Sequence, residues 1–114
     1  MSGISTHVLD TARGRPATGV PVVLEMLEAD GTSTPIGVGA TDSDGRIRQL
    51  LPEGFRLKPG THRLTFDVQS YFAAGNQDCF YPRVIVVFIV RDIVEHYHVP
   101  LLLSSFGYST YRGS

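Results

Sequence analysis

The chain has 114 residues, of which 42% are hydrophobic and 18% charged; this balance suits one globular domain over residues 1–114 and excludes a disordered or low-complexity chain. A formal net charge of −1 removes the electrostatic case for nucleic acid as a partner, and the longest apolar stretch, Val84 to Val90, is too short to cross a bilayer. Met1-Ser2-Gly3-Ile4 lacks the basic and apolar regions of a secretion signal, and Cys79 has no second cysteine to pair with, so the expectation is a cytoplasmic protein with no membrane partner, whose thiol is a small packing residue.

Gly, Pro and Asp punctuate the chain at short intervals, and the segments between them alternate with period two. Residues 5–10 predict a first short strand, and Gly14-Arg15-Pro16 is turn chemistry. Residues 20–28 predict a strand with Val20, Val22, Leu24 and Met26 on one face and Glu25 on the other. Residues 29–35 read as a loop with Asp30-Gly31 as its tight turn, and residues 36–41 as a short strand. Asp42-Ser43-Asp44-Gly45 is another turn, delivering Arg46-Ile47-Arg48 into a brief strand. Residues 52–59 are irregular. In residues 61–67, Leu64 and Phe66 point inward and Arg63 and Thr65 outward. Residues 68–74 predict one or two helical turns, and 75–82 a loop. Residues 83–90 are rich in β-branched side chains, as a strand buried on both faces would be. Arg91-Asp92 turns the chain into a strand over 95–104; Gly107 breaks it, and 108–112 is the last strand. About eight short strands with almost no helix argue for an antiparallel sandwich or barrel. Pro100 predicts an edge position or a bulge, because proline cannot donate to a central ladder.

In the strand around His96-Tyr97-His98, alternation puts His96, His98 and Pro100 on one face and Tyr97 and Val99 on the other. Two readings stand for this pair: one surface and one hydrogen-bonded core histidine, or an acid/base or metal site, since imidazole titrates near neutral pH and ligates zinc. His7 lies on the outer face of the first strand, opposite Val8. Arg46 follows a tight turn, and Tyr111 shares a face with Ser109. Alone, each of these reads as a solvated or packing residue. No acidic residue accompanies His96 and His98 at cage-forming spacing. The sequence also lacks a P-loop, a dinucleotide fingerprint and a nucleophile elbow. His62, beside the outward Arg63, receives no role.

Taken together, Ile4-Ser5-Thr6-His7-Val8-Leu9-Asp10, Thr41-Asp42-Ser43-Asp44-Gly45-Arg46 and the block from His96 to the closing Tyr111-Arg112-Gly113-Ser114 resemble the 5-hydroxyisourate hydrolase family, the transthyretin-like enzymes of urate breakdown. The resemblance also takes in Gly19-Val20-Pro21-Val22 and Tyr71-Phe72, and its most specific part is Tyr111-Arg112-Gly113-Ser114. It implies an all-β, transthyretin-like (prealbumin-like) sandwich of two four-stranded antiparallel sheets with one short helix. It also implies a homotetramer, a dimer of dimers, with active sites where the dimers meet. The activity implied is hydrolysis of 5-hydroxyisourate to 2-oxo-4-hydroxy-4-carboxy-5-ureidoimidazoline, by histidine-activated water with arginine stabilisation and without metal or cofactor. By residue-wise match, His7, Arg46, His98 and Tyr111 are the catalytic positions. His7, Arg46, Tyr111 and Ser114 are the substrate-binding ones, and His96 is left to structure or solvent. Two residues depart from the family pattern, Ser105 in place of proline and Arg83 in Tyr81-Pro82-Arg83, both off the proposed site.

Other functions use the same features differently. A non-catalytic prealbumin-like structural or binding module needs none of His7, His98 and Tyr111. A hormone-type small-molecule carrier would want an apolar cleft rather than a basic one. A zinc hydrolase would gather His7, His96 and His98 around a metal, which metal analysis of purified protein distinguishes.

Overall fold

A computed structural model describes residues 2–114; Met1, which opens the segment read against a secretion signal, lies outside the described residues. Among these, nine strands and one helix follow in chain order: β1 (Gly3–Asp10), β2 (Arg15–Pro16), β3 (Pro21–Leu27), β4 (Ser33–Ala40), β5 (Arg46–Ile47), β6 (Gly60–Phe66), α1 (Val68–Ala74), β7 (Val84–Val90), β8 (His96–Leu103) and β9 (Tyr108–Thr110). One sheet has the order β4-β3-β6-β7. The other runs β2-β1-β8-β9, with β5 also paired to β1. Alternation makes the core: Val22, Leu24, Leu64 and Phe66 of the first sheet are buried with Ile4, Val8, Leu101 and Leu103 of the second. Among the described residues, no helix is long and apolar enough to cross a membrane.

The transthyretin-like sandwich is present, and the expectation of two four-stranded antiparallel sheets is corrected in two respects. The two-residue strands β2 and β5 share the edge of β1 opposite β8, giving that sheet a fifth strand with little added width. The β1–β8 pair is parallel, from Gly3↔His96 to Asp10↔Leu103. Parallel pairing of strands so far apart in sequence leaves no local signature, unlike a hairpin.

Other differences have local causes. β4 begins at Ser33 rather than Ile36, because Thr34 and Ser33 pair with Met26 and Leu27 across a bulge at Leu24/Glu25. β7 is an edge strand, not one buried on both faces. Val84 and Val90 are buried, but Ile85, Val87 and Ile89 are 53%, 55% and 53% exposed. Apolar content alone does not distinguish a covered face from an open one. Pro100 is neither at an edge nor in a bulge of its own strand, since β8 lies between β1 and β9. His98 O accepts from Gly113 N and Pro100 O from the Thr110 hydroxyl, whereas Val99 O accepts from Thr6 on β1. The backbone nitrogen of Pro100 therefore faces the β9 side, where the ladder is interrupted between Thr110 and the isolated His98↔Gly113 bridge. A donor is not needed there.

Asp67 caps α1, accepting from Ser70 N at 3.2 Å. Behind the helix, the Tyr71 hydroxyl donates to the buried Asp10 at 2.7 Å, while Ala12 N and Arg13 N donate to the other carboxylate oxygen. Burial, then the Asp10 contact, pushes the Tyr71 hydroxyl up to about 12, so it remains a donor.

His62, without a role in the sequence reading, is fully buried on the inner face of β6. Its Nδ1–H donates to Gly60 O at 3.0 Å, and Nε2 has no partner among the described residues. Burial holds its pKa below the ordinary 6.5. The folded chain therefore keeps His62 neutral where the unfolded chain would protonate it. Stability is fully present above pH 6.5 and is lost as pH falls through that value toward the lowered folded one. Urea midpoints measured from pH 8 down to pH 5 should fall across this window. His62→Leu, similar in volume and unable to titrate, should flatten the curve, leaving the dependence due to His98; an unchanged slope would refute the assignment.

Candidate active site

The outer face of the five-stranded sheet carries the polar cluster. Strand alternation sends Ser5 and His7 of β1, and His96 and His98 of β8, to this face. The parallel register sets Ser5 beside His98 and Gly3 beside His96. Arg46 arrives through a tight turn. Asp42 Oδ1 accepts from Asp44 N at 2.8 Å and from Arg46 N at 3.0 Å, and these backbone donors hold the Asp42 carboxyl below its usual range, Arg46 N first. Gly45 has φ 76° and sits against Val8, where a Cβ would lie 2.4 Å from Val8 O. The turn so clamped pairs Arg46 with His7 across β5 and β1.

Ser5, Thr6, Arg46, Ile47, Arg48, His96, His98 and Ser114 line a cavity of about 230 Å³. Of the residues anticipated from sequence, the fold thus brings Arg46, His98 and Ser114 to one cavity. His7 stands beside it: its Nε2–H donates to Asp44 O at 2.9 Å, leaving Nδ1 as the lone-pair nitrogen. Tyr111 is not brought into this cavity within one protomer. It is exposed and lines a second cavity of about 280 Å³ with Phe88, Tyr97 and Arg112, and the two cavities have only His98 in common.

His98 is half-buried, and its pKa is lowered by burial first and then by the charges of Arg46, His7 and His96. It is consequently neutral at neutral pH. Its Nδ1 lies 2.8 Å from Ser5 Oγ, and Nε2 has no hydrogen-bond partner among the described residues. His96, left to structure or solvent by sequence reading, also contacts Ser5, at 2.7 Å through Nε2. Ser5 and His96 are the residues sequence reasoning passed over. The parity of residues 5 and 7 offered a signal for Ser5, but only the register shows what faces it. Among the described residues, no three His, Cys, Asp or Glu side chains gather as metal ligands.

The HIUase/Transthyretin family model matches residues 4–113. The chain belongs to the HIUase/Transthyretin family. It is 49% identical to the 5-hydroxyisourate hydrolase of Salmonella typhimurium, over 97% of this chain and 80% of that one. It is 45% identical to that of Mus musculus, over 99% and 96%. Among solved structures, the 5-hydroxyisourate hydrolase of Klebsiella pneumoniae superposes with a TM-score of 0.85 at 33% identity, covering 99% of this chain and 100% of that one. Sea bream transthyretin in complex with thyroxine reaches 0.90 at 32% identity, covering 97% and 94%.

The two residues that the resemblance marks as departures, Ser105 and Arg83, lie away from the cavity. Ser105 is in the turn closed by Ser104 N and Gly107 O, and its own carbonyl accepts from Phe80 N. Arg83 is exposed just before β7. By contrast, Gly113 packs against the His98 ring: a Cβ there would lie 2.5 Å from His98 Cδ2 and 3.1 Å from Pro100 Cγ. Gly113→Ala should therefore displace the His98 ring, read as a shift of its imidazole resonances, with a thermal midpoint within about 4–8 °C of the parent, roughly 1 kcal/mol for a domain of this size. Unmoved His98 resonances would show that the glycine is dispensable.

Proposed function

We propose that residues 1–114 form one transthyretin-like hydrolase domain that opens 5-hydroxyisourate to 2-oxo-4-hydroxy-4-carboxy-5-ureidoimidazoline in urate degradation. The observation that carries this reading is the meeting of an arginine and a neutral, half-buried imidazole in one small polar cavity of a 5-hydroxyisourate hydrolase relative.

The substrate is a flat, oxygen-rich ureide with an activated ring carbonyl. Arg46 presents a planar fork that binds the heterocycle and carries charge as water adds to the carbonyl carbon. His98, kept neutral by burial and its cationic neighbours, takes the proton from water at Nε2. When the tetrahedral species collapses, the ring C–N bond breaks and His98 Nε2 returns the proton to the departing nitrogen. General base catalysis of this kind contributes about 10²–10⁴-fold. His7, its Nε2–H tied to Asp44 O, offers Nδ1 to the substrate, and Ser114 borders it. Tyr111 orients the substrate from the neighbouring cavity once subunits assemble. The chemistry calls on no metal or cofactor, and activity should survive chelation.

A hydrolase assay generates 5-hydroxyisourate in situ from urate and follows its loss in the ultraviolet. Against wild type, His98→Ala should lower kcat by about 10²-fold or more. Arg46→Lys should not recover function, because the charge remains but the fork is lost. Near-normal kcat/KM in Arg46→Lys would make Arg46 a solvated turn residue.

The assembly we propose is a homotetramer, a dimer of dimers, in the cytoplasm. Supporting it, β7 ends one sheet and β9 the other with unpaired edges. Beside those edges Ile85, Val87, Ile89, Phe106 and Tyr108 are exposed, and edges of this kind invite pairing with another copy. The polar cavity lies on an outer sheet face, which a second dimer would cover. Sedimentation at micromolar concentration should give a tetramer, and a fully active monomer would defeat this assembly.

A further inference from the structure

The contact between His96 and His98 runs through one hydroxyl. Ser5 Oγ is 2.7 Å from His96 Nε2 and 2.8 Å from His98 Nδ1. Ser5 is buried, and among the described residues its side chain makes no other hydrogen bond. A serine hydroxyl has one hydrogen to give and lone pairs to accept. It can donate to one ring only, and the other ring must donate to it. The two tautomers are thereby coupled. If Ser5 donates to His98, the proton of His98 sits on Nε2. If Ser5 donates to His96, His98 holds its proton on Nδ1 and presents a bare Nε2.

The rings are held tightly enough for the coupling to matter. At Gly3 a Cβ would lie 2.7 Å from His96 Nδ1, and at Gly113 2.5 Å from His98 Cδ2. Each imidazole therefore packs directly on glycine backbone, with no side chain between. The β1–β8 ladder fixes the spacing, through Gly3↔His96 and Ser5↔His98.

We propose that His96, Ser5 and His98 form a proton relay, with Ser5 and His96 as positioning residues that set and reset the tautomer of His98. The proposal rests on the hydrolase reading above. In the resting arrangement His98 carries its proton on Nδ1, donated to Ser5, and Ser5 donates to His96 Nε2. Water gives a proton to His98 Nε2 as its oxygen bonds to the carbonyl carbon. The Nδ1 proton passes to Ser5 Oγ, and the Ser5 proton passes to His96 Nε2. His98 is left neutral with its proton on Nε2, and His96 becomes the imidazolium. When the ring C–N bond breaks, His98 Nε2 gives its proton to the departing nitrogen and the relay runs back. Protons balance over the cycle, and no group is consumed.

The electrostatics favour this direction. Burial first, and then the charges of Arg46, His7 and His96, disfavour a proton held on His98. His96 is exposed on the same strand face, where water solvates a cation. The relay moves the transient charge from the crowded ring to the solvated one.

The test uses the full chain with 15N-labelled histidine, in wild type, Ser5→Ala and His96→Gln. In wild type, the imidazole 15N shifts should report the Nδ1–H form of His98 as predominant. In Ser5→Ala that preference should collapse to a mixture. In the hydrolase assay both variants should lose kcat by about tenfold or more with KM held within about twofold, the pattern of a lost transition-state interaction. The proton inventory in mixed H2O and D2O should change from curved in wild type to linear in both. An unchanged His98 tautomer in Ser5→Ala overturns the relay whatever the activity. So does a curved inventory that persists in both variants. Wild type inactive on 5-hydroxyisourate but with the Ser5-dependent tautomer intact would instead sink the hydrolase reading and leave the coupled rings standing.

Discussion

The parallel ladder between β1 and β8 joins segments about ninety residues apart in eight consecutive pairs, and both faces of the molecule are built on it. Its inner side contributes Ile4, Val8, Leu101 and Leu103 to the core. Its outer side sets Ser5 beside His98 and His7 beside Pro100. Because side chains alternate with period two, a slip of one residue would turn the apolar set outward and break the histidine cluster in the same step. Core burial thus enforces the register that the site needs. The spacing of Ser5, His96 and His98 is thereby set by core burial, and the Asp42 hydrogen bonds add Arg46 to it.

A near-neutral chain hides a locally basic face. Arg46, Arg48, His7, His96 and His98 meet on or beside one cavity, while the neighbouring acids are turned to other work. Asp42 accepts from backbone N–H groups, and Asp44 lies 3.8 Å from Arg48 at an exposed position. This separation leaves basic groups facing the cavity, and with burial it keeps His98 deprotonated. A carboxylate beside His98 would strengthen its hold on a proton and weaken it as a base near neutral pH.

The tight approaches at Gly3, Gly45 and Gly113 serve the same face. Gly45 lets the turn before Arg46 close on β1, and the other two let the imidazoles rest on backbone. The interruption of the β9 ladder near Pro100 belongs to this arrangement as well. It frees Tyr111 and Arg112 from strand pairing, and Arg112 then stacks over the Tyr97 ring at 4.7 Å while reaching Glu95 at 3.2 Å. Tyr111 is left facing the second cavity, which shares His98 with the first.

What the sequence determined by itself was local. Alternation placed Val22, Leu24, Leu64 and Phe66 inward, and the Asp42–Gly45 turn announced Arg46. The parity of residues 96 and 98 put both histidines on one face. Resemblance then identified the family through its closing Tyr111-Arg112-Gly113-Ser114. The tertiary structure alone decided which strands pair and in what register, and hence that Ser5 links His96 to His98, that β7 is an open edge, and that His62 is sealed in the core. It also decided that Tyr111 lies across His98 from the Arg46 cavity. The reason is that period-two patterning fixes which side of a strand is apolar, whereas long-range pairing is settled by packing between segments that carry no mark of each other in the chain.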